Sequence, residues 1–443
     1  MFWAVLFLVG AAFLIAFPRV GAGDPEWVTA GRSLGLRLEK RGSSLVMKGQ
    51  VQGANVAIDA VYERGELFHR VQIGDVAIPE SVAIHGRGAD ELSGPPRGLE
   101  CTTGIPEFDR AIRVEGDPYD AFALLTVQGR KSLVELVTKF RAQIIRGRIV
   151  YRGLEVPGTA NFLPLVLGRI LSAAQGLSTA VLSQKDRLVR NVESDPAPRV
   201  RRRSLELLLL EQHGADPSTA RAVELALRDA EPSIRLIAGT RKGPEGLRTL
   251  CDLVESGSVP ESIRARGLQV LLETMPSEAI HTTLARCLSP DTPEEVRNLA
   301  ISASGELQLA TALEALIGLT RHEDDETVSL SVLALSQIAD PTAESALLGL
   351  LDRVDQVPLQ VQIIEALSNL GTARSVEPLM KLVGGSMIKT GARQAIRRIQ
   401  SRLGDVDAGR LSIIESADEA GSLSLAPDVG GLSITATPDE GGS

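Results

Sequence analysis

Apolar residues return through the C-terminal half of the chain in a register of about 31 residues. Anchor positions fall at Val200, Ile234, Ile263, Val296, Thr327, Leu359 and Ile388, with spacings of 34, 29, 33, 31, 32 and 29. From each anchor, positions 0, 4, 7, 8 and 11 share one helical face, as in Leu359, Ile363, Ala366, Leu367 and Leu370. Seven residues after the anchor a small or apolar residue recurs (Leu207, Val270, Ala303, Ala334, Ala366, Ala395), and only Arg241 breaks that column. Breaks at Met275-Pro276, Asp340-Pro341 and Gly371-Thr372 end the first helix of a unit. A second amphipathic stretch follows each break, at 279–288, 313–319, 347–351 and 376–383. One helical hairpin cannot bury its apolar face alone, so the period predicts about six stacked hairpins.

The N-terminal half is patterned differently. Residues 2–17 are uncharged and end at Pro18-Arg19, which predicts a transmembrane anchor over 1–22. Arg19, Arg32, Arg37, Lys40 and Arg41 follow it, and the positive-inside rule places the body in the cytoplasm. Export, with or without cleavage near Val20-Gly21-Ala22, and an N-terminal helix buried in a protein core are the alternatives. Residues 24–160 carry period-2 runs between glycines (35–39, 45–49, 56–61, 67–73, 108–114), then helical stretches at 119–125 and 133–140 and a last strand near Ile149-Val150-Tyr151. This predicts a small α+β domain. Residues 161–194 form an apolar stripe, read as a connecting or capping helix, with an in-plane membrane helix and a dimer helix as competing readings. Residues 404–443 carry eight acids and one arginine among many Gly and Ser, the composition of a disordered tail.

The V/I-R-x-x-A/G openings at Val296-Arg297-Asn298-Leu299-Ala300 and Ile263-Arg264-Ala265-Arg266-Gly267, with Ala366-Leu367-Ser368-Asn369-Leu370-Gly371, resemble the HEAT-repeat (alpha-solenoid) family, including its short bacterial versions. The resemblance covers about 195–403, and Arg241-Lys242-Gly243-Pro244 departs from it as an irregular repeat or kink. It implies a non-catalytic scaffold or adaptor that binds a protein partner. Arg201, Arg235, Arg264 and Arg297 form one column; the resemblance implies a structural role on turn carboxylates and carbonyls, and a partner-binding ladder is the alternative. The stretches Trp27-Val28-Thr29-Ala30-Gly31 and Val114-Glu115-Gly116-Asp117-Pro118 loosely resemble uncharacterised bacterial membrane-anchored proteins, which brings no chemistry. The expected fold class is therefore multidomain: an N-terminal transmembrane helix, a small α+β domain, a C-terminal all-α HEAT-like solenoid and a disordered acidic tail.

Charge and composition narrow the chemistry. The net charge is −9 and aromatics make up 3%. An acidic chain without a long basic stripe lacks the cations that phosphate backbones require, so nucleic acid is not an expected partner. None of the five histidines has another His or Cys three or four residues on, and the three cysteines have no metal-ligand spacing, so neither metal nor cofactor is expected. Gly31-Arg32-Ser33-Leu34-Gly35 spells a nucleophile elbow, but without a strand before it and a helix after it, which makes it a turn. Residues 291–370 sum to about −11 and residues 389–402 to about +5. That polarity either steers a basic partner or is a solvated surface. The expected function is a membrane-anchored scaffold binding a protein of unknown identity; the alternatives are a solenoid enzyme of lyase or DNA-glycosylase-like type, and a structural spacer.

Overall fold

The structure, a computed structural model, describes residues 24–41, 44–63, 65–88, 98–178, 182–210, 216–274, 277–382, 386–408, 412–416 and 419–424. Its contacts divide the chain into two units, residues 1–241 and 242–443.

The first unit is built on a nine-stranded antiparallel sheet. Its strands are β1 (Arg37–Arg41), β2 (Ser44–Val51), β3 (Ala54–Glu63), β4 (Glu66–Gly74), β5 (Val82–Gly86), β6 (Leu99–Glu100), β7 (Ile112–Gly116), β8 (Gln143–Ile145) and β9 (Arg148–Leu154), in the order β1-β2-β3-β4-β9-β8-β5-β7-β6. Two hairpins turn on two residues with positive φ, Gln52-Gly53 between β2 and β3 and Arg146-Gly147 between β8 and β9. That backbone matches the twist of the paired strands. Alternation buries Val56 and Ile58 on β3 and Val71 and Ile73 on β4.

Helices α1 (Glu26–Ser33) and α5 (Thr159–Gln175) pack on each other, and α1 also packs on β2 and β3. Each is capped by a glutamate of the other segment. Glu155 accepts from Trp27 N (2.9 Å) and Glu26 accepts from Ala160 N (3.1 Å). Carboxylates at helix N-termini satisfy open N–H groups and complement the dipole. The alternation at 108–114 proves to be a short helix, α2 (Pro106–Ala111), running into β7. Asp109 holds the turn before it, accepting from Thr103 N (3.0 Å) and Gly104 N (2.8 Å), and Pro106 suits a first turn.

Helix α3 (Pro118–Leu124) and α4 (Val127–Val134), continued by a π-turn over Glu135–Lys139, complete the α+β part. The stripe at 161–194 is two helices with different neighbours: α5 lies with α1, whereas α6 (Gln184–Ser194) packs on α7 (Pro198–Leu210) and α8 (Pro217–Ala226). Helix α9 (Pro232–Lys242) ends at the boundary between the units.

The second unit stacks first helices α11 (Glu261–Thr274), α13 (Glu294–Glu306), α15 (Asp325–Ile338), α17 (Val357–Leu370) and α19 (Ser386–Ala408). Second helices α10 (Leu247–Glu255), α12 (Ser277–Cys287), α14 (Leu313–Leu319), α16 (Glu344–Leu351) and α18 (Val376–Met380) alternate with them. Every anchor of the register, in both units, is the third residue of its first helix, and all but Ile263 are buried. The period reappears in the side-chain bonds. Glu255 accepts from Thr283 (2.7 Å), and Glu344, 5% exposed, accepts from Thr372 N (2.6 Å) and the Ser375 hydroxyl (2.5 Å), each link joining neighbouring second-helix segments. At Gly305 a Cβ would sit 2.7 Å from Ala334 Cα, so the glycine allows α13 and α15 to approach closely.

Two expectations are corrected here. Among the described residues no helix is long and apolar enough to cross a membrane. The segment assigned to the anchor, 1–22, lies outside the described residues, so the transmembrane element of the fold class and the single-pass placement are withdrawn. Within the tail expected to be disordered, β10 (Ser412–Ser416) and β11 (Glu419–Ser424) pair as an antiparallel hairpin. The break at Met275-Pro276 also lies outside the described residues.

Candidate functional site: an acidic face of the repeat helices

The arginine column holds turns together. In the first unit, Arg201 grips Asp229 with Nε (2.8 Å) and Nη2 (2.7 Å), while its Nη1 donates to Asp195 O (2.9 Å). Arg235 donates to Asp229 O (2.7 Å) and Ala230 O (3.1 Å). In the second unit, Arg264 Nε donates to Val254 O (2.7 Å). Arg297 donates to Pro290 O (3.2 Å), Thr292 O (2.8 Å) and the Thr327 hydroxyl (3.1 Å). These carbonyls lie at the ends of second helices or in the turns after them, where the last C=O groups lack helical partners and a cation complements the dipole. The same position of a later repeat holds Gln360, which donates to Val354 O (2.6 Å). Sequence reading missed it because Gln does not look like Arg, although its place after Leu359 in the register was available.

Arg201 and Asp229 give the first unit an acid-sensitive contact. Burial alone would raise the Asp229 carboxyl. The Arg201 guanidinium, the Glu231 N–H and Arg235 outweigh it and hold the group below the ordinary 3.8. A depressed folded pKa means the contribution is complete above the unfolded value and is lost as pH falls through the folded one. The first unit is therefore expected to melt at a lower temperature at pH 3 than at pH 6. In Asp229→Asn that acid-limb difference shrinks, as thermal melts of both proteins across that range would register.

The other chemistry-bearing residues are placed apart. Ser33 donates to Ala30 O (2.8 Å) in the last turn of α1, and Gly35 follows in a turn with positive φ. His322 Nδ1 accepts from Asp324 N (3.1 Å). Cys287 is buried and its thiol is pushed up to about 11, chiefly by desolvation, while Cys251 is half-buried. Among the described residues no group of three His, Cys, Asp or Glu side chains could hold a metal ion. A cavity of about 680 Å³ in the first unit sets Arg199, Arg202 and Arg203 among Glu100, Glu206 and Glu231, and Glu206 already binds two of the arginines.

The second unit carries a different surface. A groove of about 530 Å³ crosses α11, α13 and α15, lined by Glu261, Glu294, Glu295, Asn298, Leu299, Ser302, Glu326 and Leu330. The four glutamates are exposed and stand in first turns, where the dipole accommodates a carboxylate. Glu261 accepts from Glu295 N (3.2 Å), and none of the four forms an ion pair among the described residues. Leu299 and Leu330 supply an apolar floor beside this charge. Four negative charges over three adjacent helices create a field that uncompensated neighbours strengthen, and a cationic side chain is its natural complement.

Comparison with known proteins places the repeats. Residues 281–361 match the family described as HEAT repeats. No curated protein matches the chain. Among solved structures, an engineered protein is 21% identical over 50% of this chain and 98% of its own, with a TM-score of 0.30. The Escherichia coli protein YibA is 17% identical over 52% of this chain and 87% of its own, with a TM-score of 0.36. A designed armadillo repeat protein in complex with the peptide (KR)4 is 18% identical over 48% of this chain and 98% of its own, with a TM-score of 0.27. Their scores are too low to add to the assignment, which rests on the matched residues and on the register that runs through them. The repeat-bearing part of this chain, matched at 281–361, belongs to the HEAT-repeat family.

Proposed function

We propose that the chain is a non-catalytic, protein-binding scaffold whose first-helix face in the second unit docks a basic segment of its partner. The observation that supports this reading is the groove of Glu261, Glu294, Glu295 and Glu326, charged, exposed and without an ion pair among the described residues, over the apolar floor of Leu299 and Leu330. Desolvated apolar contact supplies affinity at such a face, and the carboxylates select the partner's sign and speed its approach. A line of carboxylates repels phosphate, which sets nucleic acid aside. The test is direct binding of a synthetic peptide alternating Lys or Arg with Leu to the full chain. Affinity is expected to fall steeply with added salt and by at least about tenfold in E294K/E295K. Equal binding by the wild type and this variant would remove the groove as the docking site.

A further inference from the structure

The first unit encloses positive charge that no carboxylate balances. A cavity of about 400 Å³ there is lined by the first turn of α4, the end of α5 and one side of α6. Helix α6 supplies Arg187, Arg190 and Asn191, spaced i, i+3 and i+4. Arg187 is 7% exposed. Its Nη2 donates to the Ser178 carbonyl just past the end of α5, while its Nε is buried without a partner. A guanidinium carries five N–H donors and keeps its charge, so an enclosed one calls for acceptors. Neither Arg187 nor Arg190 joins an ion pair among the described residues. Desolvation, and then the neighbouring charge of Arg190, holds the Arg187 guanidinium below the usual arginine range, with no carboxylate countering them.

The nearby acids are committed elsewhere. Asp195, which also lines the cavity, is forked by Arg130 and accepts from Ala197 N (2.9 Å). Asp186 accepts from the Ser183 hydroxyl (2.7 Å), and Glu193 pairs with Arg221 (2.8 Å). The wall from α4 brings further donors. Its N-cap, Thr126, accepts from Gly129 N (3.0 Å), whereas the N–H groups of Val127 and Gln128 have no partner among the described residues. A helix start and a pair of arginines each complement an anion, and here they line one cavity. Gln128, Gln175 and Arg190 are exposed, so a solute reaches it from outside. Two unmatched positive charges favour a dianion over a carboxylate, and a phosphate group carries about −1.5 to −2 near neutral pH with three acceptor oxygens. The volume lies within the range of small-molecule sites, about 300–1,000 Å³, which leaves room for an organic group on the phosphate.

We propose that this cavity binds a phosphate dianion, free or as the monoester of a small molecule, through the guanidinium groups of Arg187 and Arg190 and the N–H groups of Val127 and Gln128. The site is independent of the acidic groove. Calorimetric titration of the full chain at fixed ionic strength tests it, with inorganic phosphate, phenyl phosphate and benzoate as probes. Both phosphates are expected to bind, and benzoate at least about tenfold more weakly. Tighter binding of phenyl phosphate assigns the ester, and equal binding the free ion. R190Q alters an exposed side chain and is expected to weaken phosphate binding at least about tenfold, as is R187M. Without ligand, R187M is expected to melt no lower than the wild type, because an enclosed unpaired charge has been removed. An arginine that only caps α5 would instead lower that melt and leave R190Q binding like the wild type. Wild type that binds neither phosphate below about 10 mM, equal affinity for benzoate, or unchanged affinity in R190Q overturns the proposal.

Discussion

Asp195→Ala is expected to destabilise the first unit by about 3–5 kcal/mol, the range for breaking a buried ion pair by removing one partner. Asp195 is 2% exposed and Arg130 7% exposed, and they meet in a fork: Nη1 to Oδ2 at 2.8 Å and Nη2 to Oδ1 at 3.1 Å. The aspartate also accepts from Ala197 N (2.9 Å), which sets the entry to α7, and its own carbonyl receives Arg201. Alanine removes the countercharge while the guanidinium stays enclosed, still donating to Leu125 O (2.6 Å). Exchanging both partners for apolar residues of similar volume restores much of the loss, because the desolvation cost disappears with the charge. Urea unfolding followed by Trp fluorescence reports on this unit, since Trp27 is buried in its core. A loss below about 1 kcal/mol would place the pair with weak surface bridges.

Arg297→Ala is expected to cost the second unit about 3 kcal/mol. The side chain is 5% exposed and supports two carbonyls and a hydroxyl, with Thr327 in turn donating to Asn298 (3.1 Å). Bonds to a charged donor contribute about 1.5–3 kcal/mol each, and two of the abandoned acceptors, on Thr292 and Thr327, belong to buried residues. Lysine keeps the charge but not the planar fork, so Arg297→Lys recovers only part of the loss. Gln360→Ala, which removes one neutral bond, should cost about 1 kcal/mol. Hydrogen exchange would separate the two by location: protection falls at 290–300 in the first variant and at 354–360 in the second. Equal losses would mean that position, not charge, sets the contribution.

The repeat architecture was legible because each hairpin repeats the same burial demand. Seven anchors read by periodicity all take the same place, third in a first helix, which nothing but stacked hairpins would require. Strands β1 to β4 were legible from alternation for the same reason: one face is core. Strands β5 and β8 were not, since Val82–Gly86 and Gln143–Ile145 are too short for a period to declare itself. The helix around Phe108 was misread because six residues alternate equally well in either conformation, and the deciding contact, Asp109 to the backbone of Thr103 and Gly104, is visible only in three dimensions. The membrane anchor rested on hydropathy in 1–22, which no described helix supports. Of the candidate face, the sign was legible as a charge sum over 291–370. Its location was not, because only the helix starts show that Glu261, Glu294, Glu295 and Glu326 share one rim while Asp340 and Glu344 serve the other row.

Glu344 bears on how the second unit comes apart. Its carboxylate is satisfied by hydroxyl and amide donors from residues 372 and 375, which belong to the following hairpin. Peeling that hairpin away breaks all of these bonds at once and uncovers the apolar side chains beneath, so the loss of one repeat is also felt by its neighbour. Fraying from the C-terminal end should therefore halt or run past this point as a block, rather than erode one helix at a time.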